Sequence, residues 1–192
     1  MRTGHTSGFT LIELISTVAI AAILLTLGVP SFKDTILSNR MAGHSNRFLS
    51  ALNITRSEAI KRGQSVTLCK ANVDASPPSC NTGTCDTASG DNCWGKGWLV
   101  FVDANSNGLT DQGETIIRSF EGLPETLTLH TNSANVAYWI AFDSTGAGKG
   151  NNGLVVASTF NLCQGNDEAN GRSIILNALG RAKIQKRASS CP

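Results

Sequence analysis

Apolar residues are concentrated in one stretch near the start of the chain. About twenty mostly apolar residues run from Phe9 to Val29, behind a short polar leader that contains Arg2. Because a helix rises about 1.5 Å per residue, a stretch of this length can cross the ~30 Å hydrocarbon core of a bilayer. The pattern therefore predicts a membrane-spanning helix over residues 9–29.

The helical pattern continues past Pro30 but becomes amphipathic. Apolar residues recur at helical spacing, which predicts that residues 30–62 press one face onto a globular head. Proline removes a backbone donor and clashes with the preceding turn, so a local loosening is expected at Gly28 and Pro30. Four basic residues fall largely between the apolar positions and are interpreted as a solvated helix face: Arg47, Arg56, Lys61 and Arg62.

The period changes after Gly63, which is a natural helix stop. A helix followed by several strands is typical of α+β proteins, in which an antiparallel sheet packs on the helix. We therefore expect a long N-terminal α-helix packed on one β-rich head over residues 63–192. The predicted strands cover residues 66–69, 97–103, 115–120, 126–130, 137–143, 154–159, 173–177 and 181–185.

One carboxylate, Glu13, interrupts the apolar stretch. A charged side chain near the centre of a bilayer costs roughly 2.5 kcal/mol or more. Such a group needs a partner or a function, unless it lies close enough to the end of the span to reach the headgroups. The charge alone leaves both interpretations open.

The residues around Glu13 match a known processing signal. Residues 8–13, Gly-Phe-Thr-Leu-Ile-Glu, resemble the type III signal of type IV pilins and type II secretion pseudopilins. The resemblance implies that prepilin peptidase removes a leader of residues 1–8 by cleaving after Gly8, that the new N-terminus at Phe9 is methylated, and that Glu13 pairs with the terminal amine of a neighbouring subunit. An ordinary secretory signal fits worse, because its cleavage point would follow the apolar region.

Two further stretches are similar to the minor pilins and pseudopilins of the FimT, FimU and GspH kind. They are Arg-Ser-Glu-Ala-Ile-Lys-Arg-Gly at residues 56–63 and Gly-Trp-Leu-Val-Phe-Val-Asp at residues 97–103. This resemblance implies the pilin fold, a single-pass anchor in the bacterial inner membrane, a periplasmic head, and a place in a pilus at the cell surface after assembly. The implied partners are other major and minor pilins, which would bind through the N-terminal helix.

The function expected from the resemblance is that of a minor type IV pilin that helps to prime pilus assembly, at or near the tip. Two alternatives stay open: a DNA-binding minor pilin for natural transformation, and a type II secretion minor pseudopilin. His5, His44 and His130 have no Ser or Cys partner recognisable from the sequence, so neither an enzyme nor a cofactor is expected.

The cysteines favour an oxidising compartment. All six lie beyond the apolar stretch, and their even number suits disulfides in the periplasm or at the cell surface. The polar loop over residues 70–96 is long enough to need bridges. We favour Cys69 with Cys93, Cys80 with Cys85, and Cys163 with Cys191, while Cys69 with Cys80 and Cys85 with Cys93 stays open.

A polar segment that begins at the end of the 97–103 strand has the spacing of a calcium loop. Oxygen-bearing side chains stand at positions 1, 3, 5, 9 and 12 of twelve, with glycine at position 6, as in an EF-hand. Its flanks read as strands, where an EF-hand has helices, and Asn and Asp are also favoured in tight turns. A plain turn and a weak calcium site both stay open. The candidate ligands are Asp103, Asn105, Asn107, Asp111 and Glu114.

The C-terminal segment is basic, with five Lys or Arg and no acidic residue from Gly171 onward. Alternation puts Arg181 and Lys183 on one strand face, where they could neutralise phosphates irrespective of base sequence. Gly180-Arg181-Ala182-Lys183 is similar to the Gly-Arg-x-Arg motif of DNA-binding FimT proteins, except that Lys183 keeps the charge and loses the bidentate fork. The candidate DNA-binding residues are Arg172, Arg181, Lys183, Lys186 and Arg187.

Overall fold

A computed structural model gives the fold of this chain. The structure describes residues 8–72, 78–80, 94–131 and 133–191. One long helix, α1 (Leu11–Arg62), comes first, and its backbone is continuous through Pro30. The Thr10 hydroxyl caps its start by accepting a hydrogen bond of 3.3 Å from the Glu13 N–H. Gly63 ends the helix in the left-handed conformation, with φ of +64°.

The chain divides into two compact units between Asn39 and Arg40. The first contains the N-terminal part of α1. Most of its described apolar side chains are exposed, among them Phe9 (84 %), Ile12 and Leu24. Within the part of the chain that the structure describes, no helix combines the length and the mean hydropathy of a membrane span.

The second unit consists of the rest of α1 and two antiparallel sheets. The sequence predicts a single sheet, and the division into two is a finding of the structure. The strands within the described residues are β1 (Val66–Asn72), β2 (Ser79–Cys80), β3 (Gly97–Val102), β4 (Ile116–Glu121), β5 (Thr128–Thr131), β6 (Trp139–Phe142), β7 (Gly148–Lys149), β8 (Ser158–Cys163), β9 (Arg172–Leu176) and β10 (Ala182–Lys186).

The two sheets have different strand orders. The first sheet runs β4-β3-β1-β6-β7, with β2 paired to the end of β1. The second runs β10-β9-β8-β5, so β10 is an edge strand. A short 3-10 helix, Ala134–Val136, lies between β5 and β6 in the sequence, where the chain passes from the second sheet back to the first.

Phe48 of α1 lies where both sheets meet the helix. Its ring is 5.1 Å from that of Trp98 on β3 and 5.0 Å from that of Phe160 on β8. Trp94 completes the cluster, 5.6 Å from Phe48 and 5.5 Å from Phe160. All four side chains are buried. The amphipathic pattern of residues 30–62 thus marks the helix face that packs on the head.

One predicted strand lies further along the chain in the structure. The apolar pattern predicts a strand over residues 154–159, but the strand is β8, Ser158–Cys163. Leu154 and Val155 are exposed at 64 % and 57 %, whereas Phe160 and Leu162 are buried. The apolar run at 154–156 therefore belongs mostly to a connection, and the core-forming positions begin later.

The disulfides correct one prediction and agree with another. Cys69 is bonded to Cys80, which is the alternative that the sequence leaves open, and not to Cys93, the favoured partner. The reason is that β2 pairs with β1, placing Ala71 opposite Cys80, so that Cys80 lies beside Cys69. Cys163 is bonded to Cys191, the expected pair. The predicted partners Cys85 and Cys93 lie outside the described residues.

Candidate functional site

The Glu13 carboxylate lies in the first turn of α1 and is exposed. Among the described residues, this carboxylate forms no hydrogen bond and no ion pair. A negative charge in the first turn complements the positive end of the helix dipole, which is one local reason for a carboxylate there.

The basic residues of the C-terminal segment lie on a hairpin formed by β9 and β10. The register places Lys183 opposite Ile175 and Lys186 opposite Arg172. Arg172 is only 6 % exposed, and its Nη1 donates hydrogen bonds to the carbonyl oxygens of Asn170 (2.9 Å) and Gly171 (2.8 Å). The inclusion of Arg172 in a DNA-binding surface is therefore a wrong prediction, since it begins an interior strand and is enclosed by backbone.

The other four predicted basic residues are exposed. In the described part of the chain, the ion pairs are those of Lys61 and Arg62 with Glu58, and of Lys149 with Asp143. None of these involves the hairpin. The hairpin therefore presents cations that form no ion pair among the described residues, which suits a surface that binds a polyanion. The exposed cations are Arg181, Lys183, Lys186 and Arg187.

The glycine of the Gly-Arg sequence has a structural role. Gly180 is buried and has φ of +74° in the turn between β9 and β10. Asn177 closes this turn, because its side-chain oxygen accepts the Arg181 N–H at 2.9 Å and its backbone N–H donates to the Arg181 oxygen at 2.9 Å. A side-chain carbon at Gly180 would overlap the carbonyl oxygen of Gly146. The turn of the second sheet thus touches a turn of the first.

Arg56 on α1 reaches the same junction, which the sequence did not reveal. Its Nε donates a hydrogen bond of 3.0 Å to the Gly146 oxygen. A side-chain carbon at Gly180 would lie 3.2 Å from this Nε. The Arg56 guanidinium is therefore held between two turns, one of which leads directly into Arg181. Helical spacing alone placed Arg56 on a solvated face, because the glycines that admit it are far away in sequence.

The segment from Asp103 to Glu114 forms a self-bonded turn between two strands. The buried Asp103 carboxylate accepts hydrogen bonds from the Thr67 hydroxyl at 2.7 Å and the Gly108 N–H at 2.9 Å. The Glu114 carboxylate accepts the N–H groups of Ala104 and Asp111, each at 2.9 Å. These contacts occupy carboxylate oxygens that a calcium ion would need.

The remaining candidate ligands are also bonded within the turn. Asp111 accepts the side-chain amides of Asn105 at 2.7 Å and Asn107 at 2.8 Å. Among the described residues, no group of three or more His, Cys, Asp or Glu side chains is arranged to hold a metal. The flanking elements are β3 and β4, as the sequence predicts. The geometry is that of a turn closed by its own hydrogen bonds, and the calcium site stays a prediction.

The tail beyond β10 is fixed to the second sheet by a polar cluster around the buried Asn161 side chain. The Asn161 side-chain oxygen on β8 accepts hydrogen bonds from Ser173 Oγ (2.7 Å) and from the Ser189 N–H (3.1 Å) and hydroxyl (2.9 Å). Opposite Asn161 lies His130 on β5, which is 4 % exposed. Burial lowers the His130 pKa, and a backbone hydrogen bond involving Ser190 offsets part of that effect. With the Cys163–Cys191 bond, these contacts fix where the basic hairpin ends.

Comparison with known proteins places these features in one class. The family model described as type II transport protein GspH matches residues 44–180. The model described as the prokaryotic N-terminal methylation motif matches residues 4–29. No curated protein sequence matches the chain.

Two similar crystal structures are of the type IV minor pilin FimU from Pseudomonas aeruginosa strain PAO1. One is 21 % identical, with a TM-score of 0.57, and the alignment covers 80 % of this chain and 96 % of that chain. The other, in a second crystal form, is 20 % identical, with a TM-score of 0.53 and coverage of 79 % and 99 %. At these identities the likeness shows the fold, which is α+β with an N-terminal helix packed on antiparallel sheet.

An N-terminal helix that begins with a methylation motif and carries an antiparallel β-rich head defines the class of type IV minor pilins and pseudopilins. Within this class the chain belongs to the GspH family, since the family model matches more than half of the sequence. Proteins of this family and fold are structural subunits that associate with other pilins in a pilus or pseudopilus.

Proposed function

We propose that this chain is a minor type IV pilin that prepilin peptidase cleaves after Gly8 and that enters the pilus through α1, helping to prime assembly at or near the tip. Before assembly, residues 9–29 anchor it in the bacterial inner membrane with residues 63–192 in the periplasm. The observation that supports the proposal most directly is the methylation motif followed by the exposed carboxylate of Glu13, which forms no ion pair among the described residues.

The chemistry of assembly follows from that carboxylate. Cleavage after Gly8 would create a terminal amine at Phe9. Glu13 would then be the fifth residue of the processed chain. Within an apolar environment an unpaired carboxylate and an unpaired ammonium are each costly, and pairing them between neighbouring subunits offsets part of both penalties. Glu13 would thereby select the axial position of one α1 against the next.

The test is the incorporation of Glu13 variants into filaments. We expect Glu13→Gln and Glu13→Ala to reduce the amount of this chain in sheared pili at least several-fold, because each leaves the terminal amine of a neighbour without its partner. Asp34→Ala serves as the control, since Asp34 is an exposed carboxylate on the same helix. Normal incorporation of both Glu13 variants would contradict the proposal.

The exposed hairpin cations favour a second candidate function, DNA binding for natural transformation. Four exposed cations that form no ion pair in the described structure can neutralise phosphates irrespective of base sequence. Lysine at position 183 supplies a point charge and no bidentate fork, so the expected binding is salt-sensitive and of modest affinity. A minor pseudopilin of a type II secretion system remains the alternative function for the same fold.

Duplex binding by the purified full chain in a non-ionic detergent tests the DNA candidate. At low salt we expect a mobility shift that the double variant Arg181→Ala/Lys183→Ala abolishes. The matched control is Lys96→Ala/Arg118→Ala, which removes two exposed charges from the region of the first sheet. The absence of any shift by the unmodified chain at low salt would end this candidate, while leaving the assembly proposal intact.

A further inference from the structure

A guanidinium on the helix lies beside the predicted DNA-binding hairpin. Arg56 is half-buried, and its Nε donates to the Gly146 oxygen at 3.0 Å. Side-chain carbons at Gly146 and Gly180 would lie 2.9 Å and 3.2 Å from that nitrogen. The absence of side chains on these two glycines thus leaves a slot that the guanidinium fills.

The slot satisfies only part of the hydrogen-bonding capacity of Arg56. An arginine has donors on Nε and on both terminal nitrogens, and the hydrogen bond to Gly146 uses Nε. In the described structure, no acidic residue forms an ion pair with Arg56. The nearest acid on the helix in sequence, Glu58, is bonded to Arg62 at 2.6 Å and lies 3.7 Å from Lys61. The terminal nitrogens of Arg56 therefore remain without an anionic partner there.

We propose that Arg56 is a phosphate-binding residue that extends the hairpin surface onto α1, an inference that rests on the DNA candidate above. The exposed hairpin side chains must be ordered when they bind, which costs side-chain entropy. Arg56 is already ordered by its hydrogen bond and by the two glycines. Its planar fork can bind two oxygens of one phosphodiester, which a lysine cannot do. Arg56 thus supplies the fixed contact, while the hairpin side chains adjust around it.

The experiment measures duplex affinity of the full chain across a range of salt concentrations. We expect Arg56→Gln to weaken binding about five- to tenfold at low salt and to reduce the slope of log K against log salt by about 1, as the loss of one phosphate contact requires. Arg56→Lys should weaken binding less and keep the slope, because it keeps the charge. Arg118→Gln removes an equal charge from β4 and should change neither.

The two Arg56 variants separate a role in binding from a role in holding the structure. If Arg56 only held the two turns together, Arg56→Lys would lose as much affinity as Arg56→Gln and both would keep the slope, which would overturn the inference. Wild-type affinity and slope in Arg56→Gln would also overturn it and leave the DNA candidate standing, provided that Arg181→Ala/Lys183→Ala abolishes binding. A wild-type chain that binds no duplex at low salt would overturn both.

Discussion

At the residue scale, the Gly-Arg sequence of the C-terminal hairpin has two separable parts. Gly180 is required by the backbone, because its φ of +74° and the approach of the Gly146 oxygen exclude a side chain. Arg181 is exposed and makes no described ion pair, so the turn does not explain it. A Gly-Arg sequence can therefore occur for structural reasons, and evidence for DNA binding must come from the arginine.

Replacement of Gly180 tests its structural part. Gly180→Ala should lower the free energy of unfolding by about 2 to 4 kcal/mol, since it adds a left-handed penalty and an overlap with Gly146. Gly153→Ala is the matched control, because Gly153 has nearly the same φ, +73°, and open space around it. We expect it to cost only about 1 to 2 kcal/mol in thermal unfolding followed by tryptophan fluorescence. Equal costs for the two variants would show that the contact between the turns contributes nothing.

Single residues also show where sequence patterns fail. Arg47 and Arg56 fall between apolar helical positions, and both were assigned to a solvated face. Instead Arg47 donates to the backbone oxygens of Glu121 and Gly122 and lies 5.1 Å from the Trp98 ring. A long side chain at the border of an apolar face can lie along the protein surface and find acceptors that are remote in sequence. Helical period predicts the direction of the Cβ atom, whereas the contacts of the guanidinium at the end of the side chain depend on tertiary structure.

At the element scale, the helix and most strands follow from pattern, whereas pairing does not. Alternation identifies β9 and β10 within one residue at each end. The very short strands β2 and β7 have no readable period, and β2 decides that Cys69 bonds Cys80. The division into two sheets was also not predictable, because it depends on which strands form hydrogen bonds with each other.

The attachment of the tail to the second sheet is expected to depend on pH. Burial lowers the His130 pKa below its ordinary value of 6.5, and burial with the charges of Arg47 and Arg40 lowers that of His44. A lowered pKa means that the unfolded chain binds more protons than the folded chain. The contribution of the two histidines to the free energy of unfolding is therefore fully present above pH 6.5 and is lost as the pH falls through the folded pKa values. Hydrogen bonds donated by Thr145 and Asn170 lower the pKa values of the Asp143 and Asp167 carboxyls. The contribution of these two carboxylates to stability is therefore lost only under more strongly acidic conditions.

Unfolding measured between pH 7.5 and about 5 isolates the two histidines. We expect the unmodified chain to be less stable at pH 5, and His130→Gln to show a smaller decrease than the unmodified chain over the same range. His44→Gln is the parallel variant and should retain the part that belongs to His130. A decrease that is unchanged in His130→Gln would show that this side chain does not titrate across folding as its burial requires.

At the scale of the whole molecule, charge and hydropathy are divided along the chain. Residues 1–70 hold eight basic and three acidic residues, residues 73–125 hold two and eight, and the segment from Gly171 is basic only. The fold class, the order of helix and strands, and the motif at residues 8–13 could all be predicted, since each depends on local sequence. The surface that joins Arg56 to the hairpin could not, because it needs the contact between turns at Gly146 and Gly180.

Assembly as a processed pilin is tested most directly by the N-terminal mass of this chain in filaments sheared from the cell surface. We expect its first peptide to begin at Phe9 and to carry one methyl group on the amine, because cleavage after Gly8 and methylation precede assembly. Absence of the chain from the filaments, or its presence there with residues 1–8 still attached, would rule out this route of assembly.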